Sequence, residues 1–188
     1  DEVITGFGRM GTPFATQKFN VRPDIITMAK ALTNGSIPMG GVAVTDEIYD
    51  TITNAAPENA IEFFHGYTYS AHPLAVAACK ATQQVYAYEG LFQRAAEMAP
   101  VFEDALHSPK GEPNVIDVRN FGLMGAVELA PLEGQPGVRG AELIQKTFDA
   151  ALMIRITGDT IAFSPPLIVE ESHIQQAVET IRTILKTL

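Results

Sequence analysis

The sequence predicts an α/β fold continued by an α+β one, and three observations carry that reading. In the first half, short apolar runs alternate with helical segments, the rhythm of an α/β sheet. A long helical stretch, PLAVAACKATQQVYAYE, then opens on Pro73 and stops at Gly90. Beyond it, candidate strands come in neighbouring pairs, as in α+β folds. The change of pattern sets a boundary near residue 90, giving domains over residues 1–90 and 91–188.

Taken in order, residues 1–5 read as a strand and residues 12–20, TPFATQKFN, as a short irregular helix. Pro23-Asp24 is a turn. Ile25-Ile26-Thr27-Met28 is a short buried strand that ends at Lys30. Gly40 to Val44 is another strand, and a helix follows from about Asp46 to Thr53. Residues 54–72 are loop, with the aromatic cluster FFHGYTY. After the Pro73 helix, a second helix covers about 92–107, with Leu91, Ala95, Met98, Phe102 and Leu106 at helical spacing. Val115–Arg119 and Leu123–Leu129 read as paired strands. Gly140–Leu152 is helical, and Met153–Thr157 with Thr160–Ser164 forms a hairpin about Gly158-Asp159. Ser172 opens the last helix, which carries Ile174, Val178, Ile181 and Leu185 on one face.

Composition narrows the function classes. The 188 residues carry a net charge of −9, and no basic patch interrupts it, which argues against nucleic-acid binding. An anionic ligand must therefore be caught by a few placed cations. The single cysteine, Cys79, excludes an intrachain disulfide and fits a reducing, cytoplasmic compartment. No run approaches the ~20 apolar residues of a membrane helix, and no secretory leader is visible. His65, His107 and His173 show no metal-ligand spacing, so no metal site is expected. Charged residues make up only 19%, so much surface is expected to be buried in a core or against other chain. The opening DEVITGFGR reads like a strand entered part-way, and a portion of a longer polypeptide is expected.

Residues 6–11, GFGRMG, match the G-x-G-x-x-G spacing of a dinucleotide-binding turn. That turn requires a strand before the glycines and a helix directly after them. Here Thr12-Pro13-Phe14 follows the last glycine, and only a short irregular segment fits there. The plainer reading is that Gly6, Gly8 and Gly11 allow the backbone to turn tightly. Nicotinamide binding would support the dinucleotide reading, and none is expected.

The residues on either side carry more. Asp1 precedes the glycine turn, and Lys30 follows an apolar strand. A carboxylate and a lysine at strand ends of an α/β sheet lie where such sheets hold ligands. Pyridoxal phosphate enzymes need that pair, an acid for the pyridine nitrogen and an amine for the aldehyde. Three blocks then occur in order: DEVITGFGRMG, PDIITMAKALTNGSIPMGGV and HGYTYSAHPLAVAA. Together they closely resemble the signature blocks of class III (omega-amino acid) aminotransferases, pyridoxal phosphate enzymes of fold type I. RITGDTIAFSPPLIV is most similar to the branch that acts between β-alanine and pyruvate.

The resemblance implies specific roles. Residues 1–90 would be the C-terminal part of the large cofactor-binding domain, and residues 91–188 the small α+β C-terminal domain. Asp1 matches the partner of the pyridinium nitrogen, and Val3 the apolar residue packed under the ring. Lys30 matches the lysine that forms a Schiff base with pyridoxal 5'-phosphate. The apolar run before it suggests a buried stem, and burial would free its amine to act as nucleophile and base. Thr68 matches a threonine that binds the cofactor phosphate from a neighbouring subunit, with Gly66 and Tyr67 beside it. A homodimer or homotetramer is implied. His72 and Pro73 fit a helix start. Arg155 matches the arginine that grips a substrate carboxylate, and a guanidinium fork suits that task. Arg9 is fixed by the motif without an evident role. The implied reaction is transamination from an omega-amino acid or amine to a keto acid such as pyruvate, with the present chain inactive alone. Three readings stay open beside it: a related aminomutase or racemase, a non-catalytic remnant of the fold, and the dinucleotide turn.

Overall fold

Local sequence signals set most element boundaries in the computed structural model, which describes residues 1–188. Two compact units result. One comprises Asp1–Phe7 with Thr12–Gly90, the other Gly8–Gly11 with Leu91–Leu188.

In the first unit, α1 (Ala15–Lys18) is a single turn, and β1 (Ile25–Met28) pairs antiparallel with β2 (Gly41–Val44). The register sets Ile25 against Val44 and Met28 against Gly41. Helix α2 (Asp46–Asn54) begins with Asp46 and Glu47, acids that suit the positive end of a helix dipole. Helix α3 (Pro73–Tyr88) starts as the sequence expects. Pro73 occupies the first turn, and His72 Nδ1 accepts the amide of Leu74 at 3.3 Å. Gly90, at φ +63°, lies just past its end. Phe7, Ala15, Leu32, Ala75 and Tyr86 are buried here. Phe7 meets Phe14 edge-on at 5.3 Å and stacks on Tyr86 at 6.5 Å.

Residues 1–5 are not a strand. They belong to a run of turns. Only Glu2 bonds to β1, its amide donating to the Thr27 carbonyl at 2.8 Å. The cause is the Glu2 side chain, which is buried and turned toward the start of α1. There it accepts the amides of Ala15 at 3.1 Å and Thr16 at 2.8 Å, and the hydroxyl of Thr5. A chain that curls to make those bonds cannot also run along a strand.

The second unit is a two-layer α+β structure. Its antiparallel sheet has the order β3 (Val115–Phe121), β4 (Met124–Leu129), β6 (Thr160–Phe163), β5 (Arg155–Thr157). Helices α4 (Leu91–His107), α5 (Val138–Asp149) and α6 (Glu171–Leu185) cover it, with α4 and α5 both packed on α6. Leu106, Val127, Leu143, Ile161, Ile181 and Leu185 are fully enclosed in the shared core. Each such side chain contributes about 1.5–3 kcal/mol by leaving water. On β3 Val118 faces the core while Asp117 and Arg119 face solvent, and a register shift between Val115 and Asp117 leaves Ile116 exposed as well. On that outer face Arg119 pairs with Glu128 at 2.7 Å and Asp117 at 2.5 Å.

The glycine turn packs against this second unit. Gly8 has φ +106°, and a Cβ there would meet Phe92 at 2.7 Å and Leu167 at 2.9 Å. A Cβ on Gly11 would meet Ala96 at 2.7 Å. Arg9 now has a role: its carbonyl accepts the amide of Leu123 at 2.9 Å, and its guanidinium donates to the carbonyl of Pro165. Only a four-residue helix follows, so this is not the strand–turn–helix of a dinucleotide site. No helix is long and apolar enough to cross a membrane.

Candidate active site

Lys30 occupies a backbone position that the surrounding structure holds by several bonds. After Met28 the chain leaves the strand, and Lys30 adopts φ +47° at the head of a 3-10 turn, Lys30–Leu32. The left-handed region costs a side-chain-bearing residue about 1–2 kcal/mol, so the turn must be fixed by its neighbours. The Lys30 carbonyl accepts the amides of Thr33 at 3.3 Å and Gly35 at 3.1 Å. From α3, Tyr86 donates its hydroxyl to the Ala31 carbonyl at 2.8 Å, and Gln83 donates to the Leu32 carbonyl at 3.2 Å. Thr33 is buried and donates to the Ile37 carbonyl at 2.6 Å.

The stem of Lys30 is not buried. The side chain is exposed, because the apolar run stops at Met28 and the positive φ turns the chain away from it. The buried stem expected from the sequence is therefore not found.

Asp1 and Val3 flank Glu2, whose amide bonds to β1 three residues ahead of Lys30. The acidic segment and the lysine turn are thus tied to the same strand. Asp1 Oδ1 accepts the amide of Val3 at 2.7 Å, which orients the carboxylate and leaves its second oxygen unpaired. Burial pushes the Glu2 carboxyl up, but hydrogen bonds from Thr5, Thr16 and Ala15 outweigh that and hold it below the ordinary carboxylate value. Adjacent acids thus have different tasks: Glu2 is structural, and Asp1 is exposed.

Gly66, Tyr67 and Thr68 lie elsewhere in the first unit, in the exposed loop before α3. They line a cavity of about 1400 Å³ together with Thr27 and Met28 of β1, and with His65. His65 stands edge-on to Tyr67 at 4.0 Å. Asp1, Val3 and Lys30 are not part of its wall. Arg155 belongs to the second unit, exposed at the start of β5 with no hydrogen bond or ion pair. No cluster of histidine, cysteine and acidic side chains could hold a metal ion.

The model of the aminotransferase class-III family matches residues 1–185. The chain belongs to the class III aminotransferases. Pyridoxal phosphate is the cofactor of this class, and an acid with one unpaired carboxylate oxygen, Asp1, and an exposed lysine, Lys30, are the side chains of the first unit whose chemistry would suit it. Among curated class III relatives, an omega-aminotransferase of Caulobacter vibrioides is 53% identical over 185 residues, covering 98% of this chain and 42% of that protein. A beta-alanine–pyruvate aminotransferase of Pseudomonas aeruginosa is 51% identical over 166 residues, 88% of this chain and 37% of that protein. The chain therefore spans about two fifths of the length of these relatives. Among solved transaminases, a thermostable (S)-enantioselective omega-transaminase from Thermomicrobium roseum superposes with a TM-score of 0.90 at 35% identity. That match covers all of this chain and 42% of the other. A transaminase solved with L-alanine gives 0.94 at 29% identity, again over the whole chain and 45% of the other. The fold is accordingly that of fold type I pyridoxal phosphate enzymes, with α/β and α+β portions.

Sequence reasoning missed Glu2, Tyr86, Gln83 and Thr33. Nothing in two adjacent acids says which one turns inward. Tyr86 sits at a helix position that only the three-dimensional packing distinguishes from its exposed neighbour Tyr88.

Proposed function

We propose that the whole protein of which this chain is part transfers an amino group from an omega-amino acid or amine, of the β-alanine kind, to a keto acid such as pyruvate. The single observation that carries the reading is the attachment of the Asp1–Val3 segment to β1, through Glu2 and Thr27, just ahead of the fixed turn that presents Lys30. The names of the class III relatives point the same way. When bound, pyridoxal phosphate supplies an electron sink for negative charge at the substrate carbon.

The residues divide the remaining work. Asp1 would offer a carboxylate oxygen to the protonated ring nitrogen and so retain that proton. Val3 presents an apolar surface to the ring. Lys30 would hold the cofactor through its side-chain amine, and that amine, once free, would take and return the proton at the substrate carbon. General base catalysis of that kind is worth about 10²–10⁴-fold. Gly66, Tyr67 and Thr68 bind the phosphate by main-chain and hydroxyl donors, Thr68 serving a neighbouring subunit of a dimer or a dimer of dimers. Arg155 takes the substrate carboxylate in a bidentate grip. In this reading residues 1–90 complete the large cofactor-binding domain, residues 91–188 form the small one, and the protein works in the cytoplasm.

The deciding experiment uses the full-length protein. Borohydride treatment of the loaded enzyme should fix the cofactor's mass on the peptide containing Lys30. Lys30→Ala should abolish repeated turnover with β-alanine and pyruvate. Multiple turnovers by Lys30→Ala, or cofactor mass on another lysine, would overturn the assignment.

A further inference from the structure

Asp159 stands at the tip of the β5–β6 hairpin and fastens it to two other elements. Its Oδ2 accepts the amide of Gly137 at 2.6 Å, and its Oδ1 accepts the amide of Gly140 at 2.8 Å. Its main-chain carbonyl accepts the amide of Leu129, at the end of β4, at 3.0 Å. Gly137 is the N-cap of α5, at φ +86°, so the carboxylate satisfies amides that a helix start leaves without partners. Its negative charge also meets the positive end of the helix dipole. Gly140 permits the close approach. A Cβ at that position would lie 2.0 Å from the carbonyl oxygen of Gly158 and 2.8 Å from Ile156 Cγ2.

The strand fixed in this way is held besides by Ile156, which packs against the core beside α5. β5 is three residues long, lies at the edge of the sheet and pairs only with β6. Arg155 opens β5, exposed and without a polar bond of its own. A two-pronged grip on a carboxylate tolerates little misplacement, on the order of 0.5 Å and 10–20°. The side chain that must meet this tolerance is therefore set by the backbone beneath it, and that backbone is pinned at Asp159.

We propose that Asp159 is a positioning residue for carboxylate recognition: by locking the hairpin tip to the start of α5, it sets the direction from which Arg155 meets a carboxylate-bearing substrate. The inference rests on the reading of Arg155 as the carboxylate anchor. It assigns Asp159 and Gly140 a share in substrate choice, although neither touches the substrate.

The test compares two amine donors in the full-length, cofactor-loaded enzyme: β-alanine, and propylamine, which lacks the carboxylate. The donor half-reaction is followed by cofactor absorbance in single turnovers, giving a half-saturation concentration and a limiting rate for each. Arg155→Leu should raise the β-alanine half-saturation at least tenfold more than that of propylamine. Asp159→Ala should do the same to a smaller degree, by about tenfold for β-alanine, the size expected for a lost charged hydrogen bond, with little change in limiting rate. Gly140→Ala should reproduce the effect from the other side of the contact, and Asp159→Asn should fall between. In the Arg155→Leu background, Asp159→Ala should add nothing to the selectivity. If Arg155→Leu is selective while Asp159→Ala and Gly140→Ala weaken both donors equally, or neither, the positioning role falls and the anchor stands. If Arg155→Leu is itself unselective, the anchor reading falls and the positioning role falls with it.

Discussion

The hydroxyl of Tyr86 donates to the carbonyl oxygen of Ala31 at 2.8 Å, joining α3 to the turn that carries Lys30 across 55 residues of sequence. The bond holds the residue next to Lys30 from a helix that bears no proposed catalytic group. Tyr86→Phe keeps the ring against Phe7 and removes only the oxygen. The expected cost is about 1 kcal/mol of unfolding free energy, the usual net worth of such a bond, with weaker retention of pyridoxal phosphate. Urea denaturation and equilibrium dialysis of the full-length protein measure the two effects.

Glu2 gives a pH dependence with a definite sign. Its folded value lies below the ordinary carboxylate value of 4.5, because the donors around it outweigh its burial. A carboxyl depressed by folding stabilises the folded state above its unfolded value, and that contribution is lost as pH falls through the folded one. Stability should therefore decline below about pH 4.5, and Glu2→Gln should flatten that part of the profile. Glu2→Gln should also cost about 1–3 kcal/mol at neutral pH, because an amide cannot accept all the bonds that the carboxylate accepts. Denaturation midpoints between neutral pH and pH 3.5 provide the test.

Gly8→Ala should destabilise the protein by roughly 2–4 kcal/mol, combining a left-handed backbone penalty with overpacking against Phe92 and Leu167. The same region should show no response to nicotinamide dinucleotide. A thermal-shift titration with NAD checks the second point, and a rise in melting temperature that Gly8→Ala removes would restore the dinucleotide reading.

Two arginines should separate stability from specificity. Arg182 joins Glu112 at 3.1 Å, Glu179 at 2.6 Å and the Ser108 carbonyl at 2.6 Å, tying the loop after α4 to α6. Arg182→Met should lower stability by about 1 kcal/mol, because it leaves the partly buried Glu112 carboxylate unpaired while the contacts to exposed Glu179 and Ser108 contribute little, with donor preference intact. Arg155→Leu, which breaks no bond, should leave the melting temperature within about a degree while changing donor preference. Calorimetry and donor kinetics on the same two preparations make the comparison.

Much of the fold was legible from local pattern. α3, the β5–β6 hairpin and α6 each have a period, a cap or a turn residue that the structure uses as the sequence suggests; β1 forms where expected but is not the buried strand its apolar letters suggest, since Ile25 is exposed and the rest only half-buried. The family of the chain was legible from its three ordered blocks. Residues 1–5 were misread as a strand because apolar alternation is indifferent to whether a partner strand exists, and the partner here accepts only one bond. The exposure of Lys30 was hidden for a related reason. An apolar run marks a strand, but the direction of a side chain just past its end follows the backbone angle, and nothing in the letters announces φ +47° at a lysine. The tasks of Glu2 and Asp159 depend on helix starts 14 and 19 residues away, a distance at which spacing alone carries no signal.

The glycine turn has a practical consequence for anyone who wishes to express half of this molecule. Residues 8–11 are packed with the later unit although they lie near the start of the chain. Severing the polypeptide between Gly90 and Leu91 would deprive the later piece of the carbonyl that caps Leu123 and of the guanidinium that grips Pro165. A clean excision at that junction would yield an unfinished product, and supplying residues 8–11 as a separate peptide should partly repair it.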